Sequence, residues 1–184
     1  MRMHKWLFAL STVCALYSTA TLAADPIKIG EINPFSGPLA KYGLELSRGH
    51  ELAIDEINAK GGLLGRKVEM ITGDATNPQQ AIATVDQLAN RDKVNLFSGT
   101  YMSPVSAAAS DAAQRYNLLY WETIATAQEL TERGLPNFVR TGPNAASYAI
   151  EAVAAINNLI AGAYGKKPGD LKIWIEHEDL SFGT

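Results

Sequence analysis

The sequence predicts an α/β fold built on a parallel sheet. Two observations carry this reading. Short apolar runs of strand length alternate with helical segments along the chain, and the crossovers between successive runs are long enough to hold a helix. Such crossovers favour a parallel sheet covered on both faces. A third observation points to a site: the stretch 34–43, PFSGPLAKYG, follows the first strand directly and leads into a helix. Loops at the carboxyl ends of parallel strands are where small molecules bind, which makes Ser36 and Tyr42 candidates for contact.

The elements follow in order. Residues 27–32 (IKIGEI) form the first strand. The helix after it, about 45–59, carries Leu46, Gly49, Ala53 and Ile57 at helical spacing and stops at Gly61 and Gly62. Residues 68–73 (VEMITG) are the second strand. Asn77 then caps a helix that starts at Pro78, with Gln80 at capping-box spacing and Ala81, Val85 and Leu88 on its buried face. Residues 94–99 (VNLFSG) are the third strand, followed by an alanine-rich helix to about Tyr116, with Ser103 as its cap and Pro104 presetting the first turn. Residues 118–122 (LLYWE) and 138–141 (FVRT) are the fourth and fifth strands. A loop and a short helix after Thr126 separate them, and Thr126 with Glu129 again has capping-box spacing.

Glycine and proline break the pattern at 141–144 (TGPN) before a long helix at 145–160. Residues 165–169 (GKKPG) form a surface turn and 171–177 (LKIWIEH) read as one more strand. A boundary near Gly142 gives an amino-terminal lobe at 24–142 and the start of a second lobe at 143–184. One helix and one strand cannot bury a core of their own, so the chain reads as a fragment of a longer polypeptide.

Residues 1–23 read as a secretory signal. Arg2 and Lys5 precede an apolar run from residue 6 to 16, and Thr21 and Ala23 are small residues suited to cleavage before Ala24. The run is too short for a permanent membrane helix, the alternative reading. Cys14, the single cysteine, would leave with the signal, and its neighbours Ser11 and Val13 suit a lipoprotein site poorly. Without Arg2 and Lys5 the balance of 16 basic against 19 acidic residues becomes 14 against 19, a net charge of −5. That argues against a nucleic-acid partner, which would call for a basic face.

The strings SGPLAKYG, AIDEINAKGGLLGRKVEM, ATNPQQA and ATAQELTERG together resemble the amino-terminal lobe of leucine/isoleucine/valine-binding periplasmic proteins, the substrate-binding components of ABC transporters. The resemblance runs from about Ile27 to Thr184, and INAKGG and ELTERG are its most distinctive strings. It implies a type I periplasmic-binding-protein fold, in which two doubly wound lobes close on a ligand. It also implies a periplasmic location, a permease with ATPase subunits as partner, a monomer and no cofactor. The ligand it implies is an amino acid, branched-chain first, with amides and aromatic carboxylates as alternatives.

Site residues follow from the same resemblance. The positions matching Ser103, Ala125 and Thr126 surround the ligand's α-carboxylate and amino group, Tyr42 lines the pocket, and Phe182 stands where the family often has a pocket tyrosine. Helix amino termini offer unpaired amides and partial positive charge, which suits a carboxylate. Two departures stand out. Thr76 and Met102 occupy positions where relatives often carry a small disulfide. The run YWETIATA is bulkier and more acidic than the family's proline-rich version. Glu122 there either repels a carboxylate, recognises a cationic or amide group, or points away into a solvated or hydrogen-bonded position, the reading favoured here.

The same residues have plainer readings. Ser103 and Thr126 would be helix caps in any α/β protein, and Tyr42 could pack on the lobe surface. His50 lies on the first helix. His177, with Glu176, Glu178 and Asp179, reads better as a solvated strand end than as a metal site. An enzyme would need a nucleophile with its base, a metal set or a phosphate cradle, and Ser103 lacks the flanking glycines of a nucleophile elbow. A ligand-sensing ectodomain or regulator on the same fold is the remaining alternative.

Overall fold

The computed structural model describes residues 24–180 and Gly183. Residues 1–23, expected to be a secretory signal, with Cys14, and Phe182 lie outside the described residues. Five strands form one parallel sheet: β1 (Ile27–Asn33), β2 (Val68–Asp74), β3 (Leu96–Gly99), β4 (Leu119–Glu122) and β5 (Phe138–Arg140), in the order β2-β1-β3-β4-β5. Four helices accompany it: α1 (Ala40–Ala59), α2 (Pro78–Asn90), α3 (Ser103–Gln114) and α4 (Ala145–Ala155), the last running on through a π-turn to Ala163. Because β1 and β3 are neighbours while β2 lies beyond β1, the chain reverses direction across the sheet between them. Their carboxyl ends flank the point where a doubly wound sheet opens a crevice.

The core lies between the sheet and the α2–α3 layer. Ala81, Val85 and Leu88 of α2 and Val105, Ala109, Ala112 and Ala113 of α3 pack on Ile32, Phe97 and Tyr120. The alanines of α3 let that helix approach closely, and the rings of Phe97, Tyr120 and Phe138 follow each other at 6.3 and 5.9 Å across three adjacent strands. Each large side chain buried here contributes about 1.5 to 3 kcal/mol. The α2 cap also follows the sequence, since Asn77 accepts the Gln80 amide at 2.9 Å. The return arm differs by one residue: the Gln80 side chain accepts from the amide and hydroxyl of Thr76, not from Asn77.

Helix α1 departs from expectation in two ways. It begins at Ala40, preceded by a 3₁₀ turn at Gly37–Leu39, so Tyr42 stands on the first helical turn and not in a loop. Its inner face is Gly43 and Ser47, with His50 and Ile54 half-buried, whereas Gly49 and Ala53 are exposed. The expected stripe counted apolar residues only, but this face meets a buried carboxylate. Glu31 of β1 accepts the Ser47 hydroxyl at 2.9 Å and the Asn33 side-chain amide at 3.0 Å, and lies 2.7 Å from His50 Nδ1. Gly43 is required by close approach, because a Cβ there would collide with the Pro34 carbonyl oxygen. The helix ends as expected: Gly62, at φ +82, donates to the Ile57 carbonyl at 2.9 Å.

Three further expectations fail. Ser103 is the first residue of α3, not its cap, and no side chain caps that helix. Thr126 does not cap the short 3₁₀ helix Gln128–Thr131 either, whose cap position is Ala127. Residues 171–177 form no strand. No partner strand among the described residues pairs with them, and Ile173, Trp174 and Ile175 are exposed, so the apolar alternation has nothing to hydrogen-bond to.

Candidate ligand-binding site

At the carboxyl ends of β1, β3 and β4 lies a cavity of about 560 Å³, within the range of small-molecule sites. The start of α1 contributes Leu39 and Tyr42, the β3–α3 turn contributes Tyr101, Met102, Ser103 and Pro104, and the loop after β4 contributes Ile124 and Thr126. Tyr148, Glu178 and Leu180 close the far side. Three of the five sequence-predicted residues, Tyr42, Ser103 and Thr126, thus come together from separate parts of the chain. Ala125 is buried and does not line the cavity, and its amide donates to Glu122 at 2.8 Å and to the Thr100 carbonyl at 3.2 Å. Ser36 stands apart, its hydroxyl and amide both on Asp74 at the end of β2.

The polar wall is made by the start of α3. Its first intrahelical bond runs from the Ser106 amide to the Met102 carbonyl at 2.9 Å, which leaves the Ser103 and Val105 amides without a partner among the described residues and the positive end of the helix toward the cavity. The buried Ser103 oxygen accepts the Ala127 amide at 3.2 Å. Its proton is free to donate to another acceptor. Thr126 is half-buried, its carbonyl accepts the Ala145 amide at 2.8 Å, and among the described residues its hydroxyl has no hydrogen-bond partner.

The apolar wall is aromatic. Tyr42 and Tyr101 stack with centroids 4.8 Å apart and planes 15° off parallel. Burial first, then the proximity of Tyr42 and Glu178, pushes the Tyr101 phenol above its ordinary pKa. Sequence reading did not single out Tyr101. Its signal was its place two residues before Ser103 in a strand-end turn.

Glu122 does not face the cavity. Its Oε1 accepts the amides of Thr123, Ile124 and Ala125, each at 2.8 Å. Oε2 accepts the Thr100 amide at 3.0 Å and the Ser106 hydroxyl. Burial raises its pKa to about 7, and these hydrogen bonds, that of Ser106 foremost, oppose the rise. The buried Tyr120 phenol nearby is held well above its ordinary value by burial and by Glu122. Among the described residues, no three acidic, histidine or cysteine side chains are grouped to hold a metal ion, and no helix is long and apolar enough to cross a membrane.

A doubly wound parallel sheet with an anion-receptive helix terminus at its crevice defines a ligand-binding lobe. Residues 26–168 match the periplasmic binding protein family, and the chain belongs to that family. It is 42% identical over 182 residues to Leu/Ile/Val-binding protein homolog 7 of Brucella suis biovar 1, covering 99% of this chain and 45% of that protein. Homolog 8 of the same organism is 42% identical over 185 residues, covering 46% of its length. The chain therefore spans about half the length of these curated relatives.

Two solved structures share the fold and were solved with different ligands. The branched-chain amino acid transporter substrate binding protein of Streptococcus pneumoniae, solved with isoleucine, superposes with a TM-score of 0.63 at 29% identity, over 70% of this chain and 39% of that one. A solute binding protein of an ABC transporter from R. palustris, solved with 4-hydroxybenzoate, gives 0.68 at 27% identity over 86% and 40%. The fold is thus the type I periplasmic-binding-protein fold expected from the sequence.

Proposed function

We propose that this chain is the amino-terminal part of an extracytoplasmic solute-binding protein that delivers amino acids, branched-chain first, to an ABC permease with its ATPase subunits. The observation that carries this reading is the open first turn of α3, which faces a cavity also lined by the hydroxyl-bearing Ser103 and Thr126. These groups offer hydrogen-bond donors to a carboxylate without a formal cation. Glu178, on the opposite side, supplies a carboxylate for an ammonium group. The relatives named as Leu/Ile/Val-binding proteins support the same ligand class.

In this reading residues 1–23 direct export and are removed, residues 24–142 form one lobe, and residues 143–184 begin a second lobe that closes over the ligand. Phe182 then belongs to the second lobe's wall. The protein acts by binding and release, as a monomer, with no bond made or broken.

A second reading keeps the site and changes the ligand. The stacked Tyr42–Tyr101 pair, with Tyr148 nearby, presents aromatic faces to a planar ring, so an aromatic carboxylate fits the same anion-binding turn. Titration calorimetry of a chain extended to the length of the curated relatives, against L-leucine, L-isoleucine, L-valine and 4-hydroxybenzoate, separates the two. Saturable binding of the aliphatic amino acids supports the first reading, and of 4-hydroxybenzoate alone the second. Binding of none refutes both.

A further inference from the structure

The ligand site rests on two turns that no backbone ladder ties together. The β3–α3 turn carries Tyr101, Met102 and Ser103, and the loop after β4 carries Ile124 and Thr126. Between β3 and β4 the paired register runs from Leu96 with Leu119 to Ser98 with Trp121 and stops there. Beyond it, one Thr100 carbonyl bond to the Ala125 amide and the Ser103 hydroxyl on the Ala127 amide are the direct links. Glu122 fills the gap. It is fully buried at the end of β4 and grips both turns at once, three successive amides of its own loop on one oxygen and Thr100 with Ser106 on the other.

We propose that Glu122 is a positioning residue for the ligand site: its carboxylate folds the 123–125 amides inward and locks them to the β3–α3 turn, leaving Thr126 and the start of α3 aimed at the ligand. This rests on the site assignment under Proposed function. The chemistry requires a carboxylate. Five donors converge on two oxygens, and an ionised carboxylate is the one side-chain group that accepts on both while donating on neither. A glutamine keeps one carbonyl oxygen for the three-amide cradle but sets its own N–H₂ against the Thr100 N–H, so the link between the turns breaks.

The charged groups on neighbouring elements are otherwise engaged. Arg140, the register partner of Glu122 on β5, donates to the Ala127 carbonyl, and Arg133 donates to Asp111, Ser110 and the Ala107 carbonyl. Tyr120 keeps its proton across the neutral range. Glu122 is thus the group in this cluster that titrates near pH 7.

The test uses the chain extended to the length of its relatives. Amide shifts of Thr100, Ala125, Ser103 and Thr126 are followed by NMR from pH 4 to 9 in the parent and in Glu122→Gln. Binding of L-leucine and 4-hydroxybenzoate is measured by calorimetry in the parent, Glu122→Gln and Ser106→Ala.

The expected result is one midpoint near 7 shared by all four amides, absent from Glu122→Gln, and an affinity loss of about tenfold or more in Glu122→Gln. Ser106→Ala removes one donor of five and should stay within about threefold. Titration of Thr100 and Ala125 with Ser103 and Thr126 flat would make the carboxylate purely structural and overturn the proposal. So would a Glu122→Gln affinity within about twofold of the parent. A parent that binds neither probe refutes the site assignment, and the amide titration still decides the positioning.

Discussion

The two hydroxyls at the cavity should separate binding from stability. Ser103 is buried, and its oxygen accepts the Ala127 amide at 3.2 Å, so Ser103→Ala leaves a buried N–H without a partner. That costs about 1 to 3 kcal/mol, and at about 2–4 °C per kcal/mol for a domain of this size the Tm should fall by roughly 5 °C. The Thr126 hydroxyl has no partner among the described residues, so Thr126→Val removes it while keeping the branched shape and should leave Tm within about 2 °C. In the proposed site both changes remove a donor to a charged acceptor, worth about 1.5 to 3 kcal/mol, or one to two decades in affinity. The assay is titration calorimetry of the extended chain, with whichever of L-leucine and 4-hydroxybenzoate the parent binds, beside thermal unfolding without ligand. A Thr126→Val affinity within twofold of the parent would refute the reasoning, because among the described residues that hydroxyl has no hydrogen-bond partner to account for it otherwise.

Four further outcomes are expected. Gly43→Ala drives a methyl group into the Pro34 carbonyl oxygen, and urea unfolding should show a loss of about 1 to 3 kcal/mol; an unchanged midpoint would contradict the close packing of α1. Glu122 has a pKa of about 7 in the fold against an ordinary 4.5, so its contribution to stability is complete below pH 4.5 and lost as pH rises through 7. Relative to Glu122→Gln, the parent should therefore lose about 3 kcal/mol between pH 4.5 and 8, and a pH-independent difference would refute this. Mass spectrometry of exported protein should find an amino terminus close to Ala24, and a mature pool that retains Met1 would refute removal of the signal. The 184-residue chain alone should bind at least tenfold more weakly than the extended chain, and equal affinity would refute the two-lobed reading.

The sheet was legible because its strands are apolar runs of the right length and its crossovers leave little topological choice. The start and buried face of α2 were legible, since Asn77 caps it, Pro78 opens it and Ala81, Val85 and Leu88 bury it through local chemistry and one periodicity. Helix α1 was not. Its inward face is chosen by Glu31, which draws in Ser47 and His50, and a count of apolar residues cannot see a polar interior. Its early start was hidden by Gly37 and Pro38, which read as loop residues yet here initiate a 3₁₀ turn. The 171–177 run shows the opposite error. A strand pattern states what a segment could pair with, and pairing needs a neighbour.

Around the cavity, Tyr42, Ser103 and Thr126 come together as the sequence reading grouped them, but two of these side chains have a different local task from the one expected. Cap spacing at Ser103 and Thr126 is a local criterion, but the Ser103 oxygen takes a tertiary partner, the Ala127 amide, and the α3 terminus stays open. An occupied cap would have competed with a ligand carboxylate for the same amides. The failure of the capping rule is therefore what makes the terminus available. The hydrogen-bonded position of Glu122 follows the same logic: the 123–125 amides are taken by Glu122, so in the proposed site the start of α3, the Ser103 proton and the Thr126 hydroxyl are the donors that remain for a ligand. One buried carboxylate thereby decides which donors of two adjacent turns face the cavity. No spacing rule within either turn could have shown that, because the bonds join residues 100, 106 and 122–125 only once β3 and β4 lie side by side.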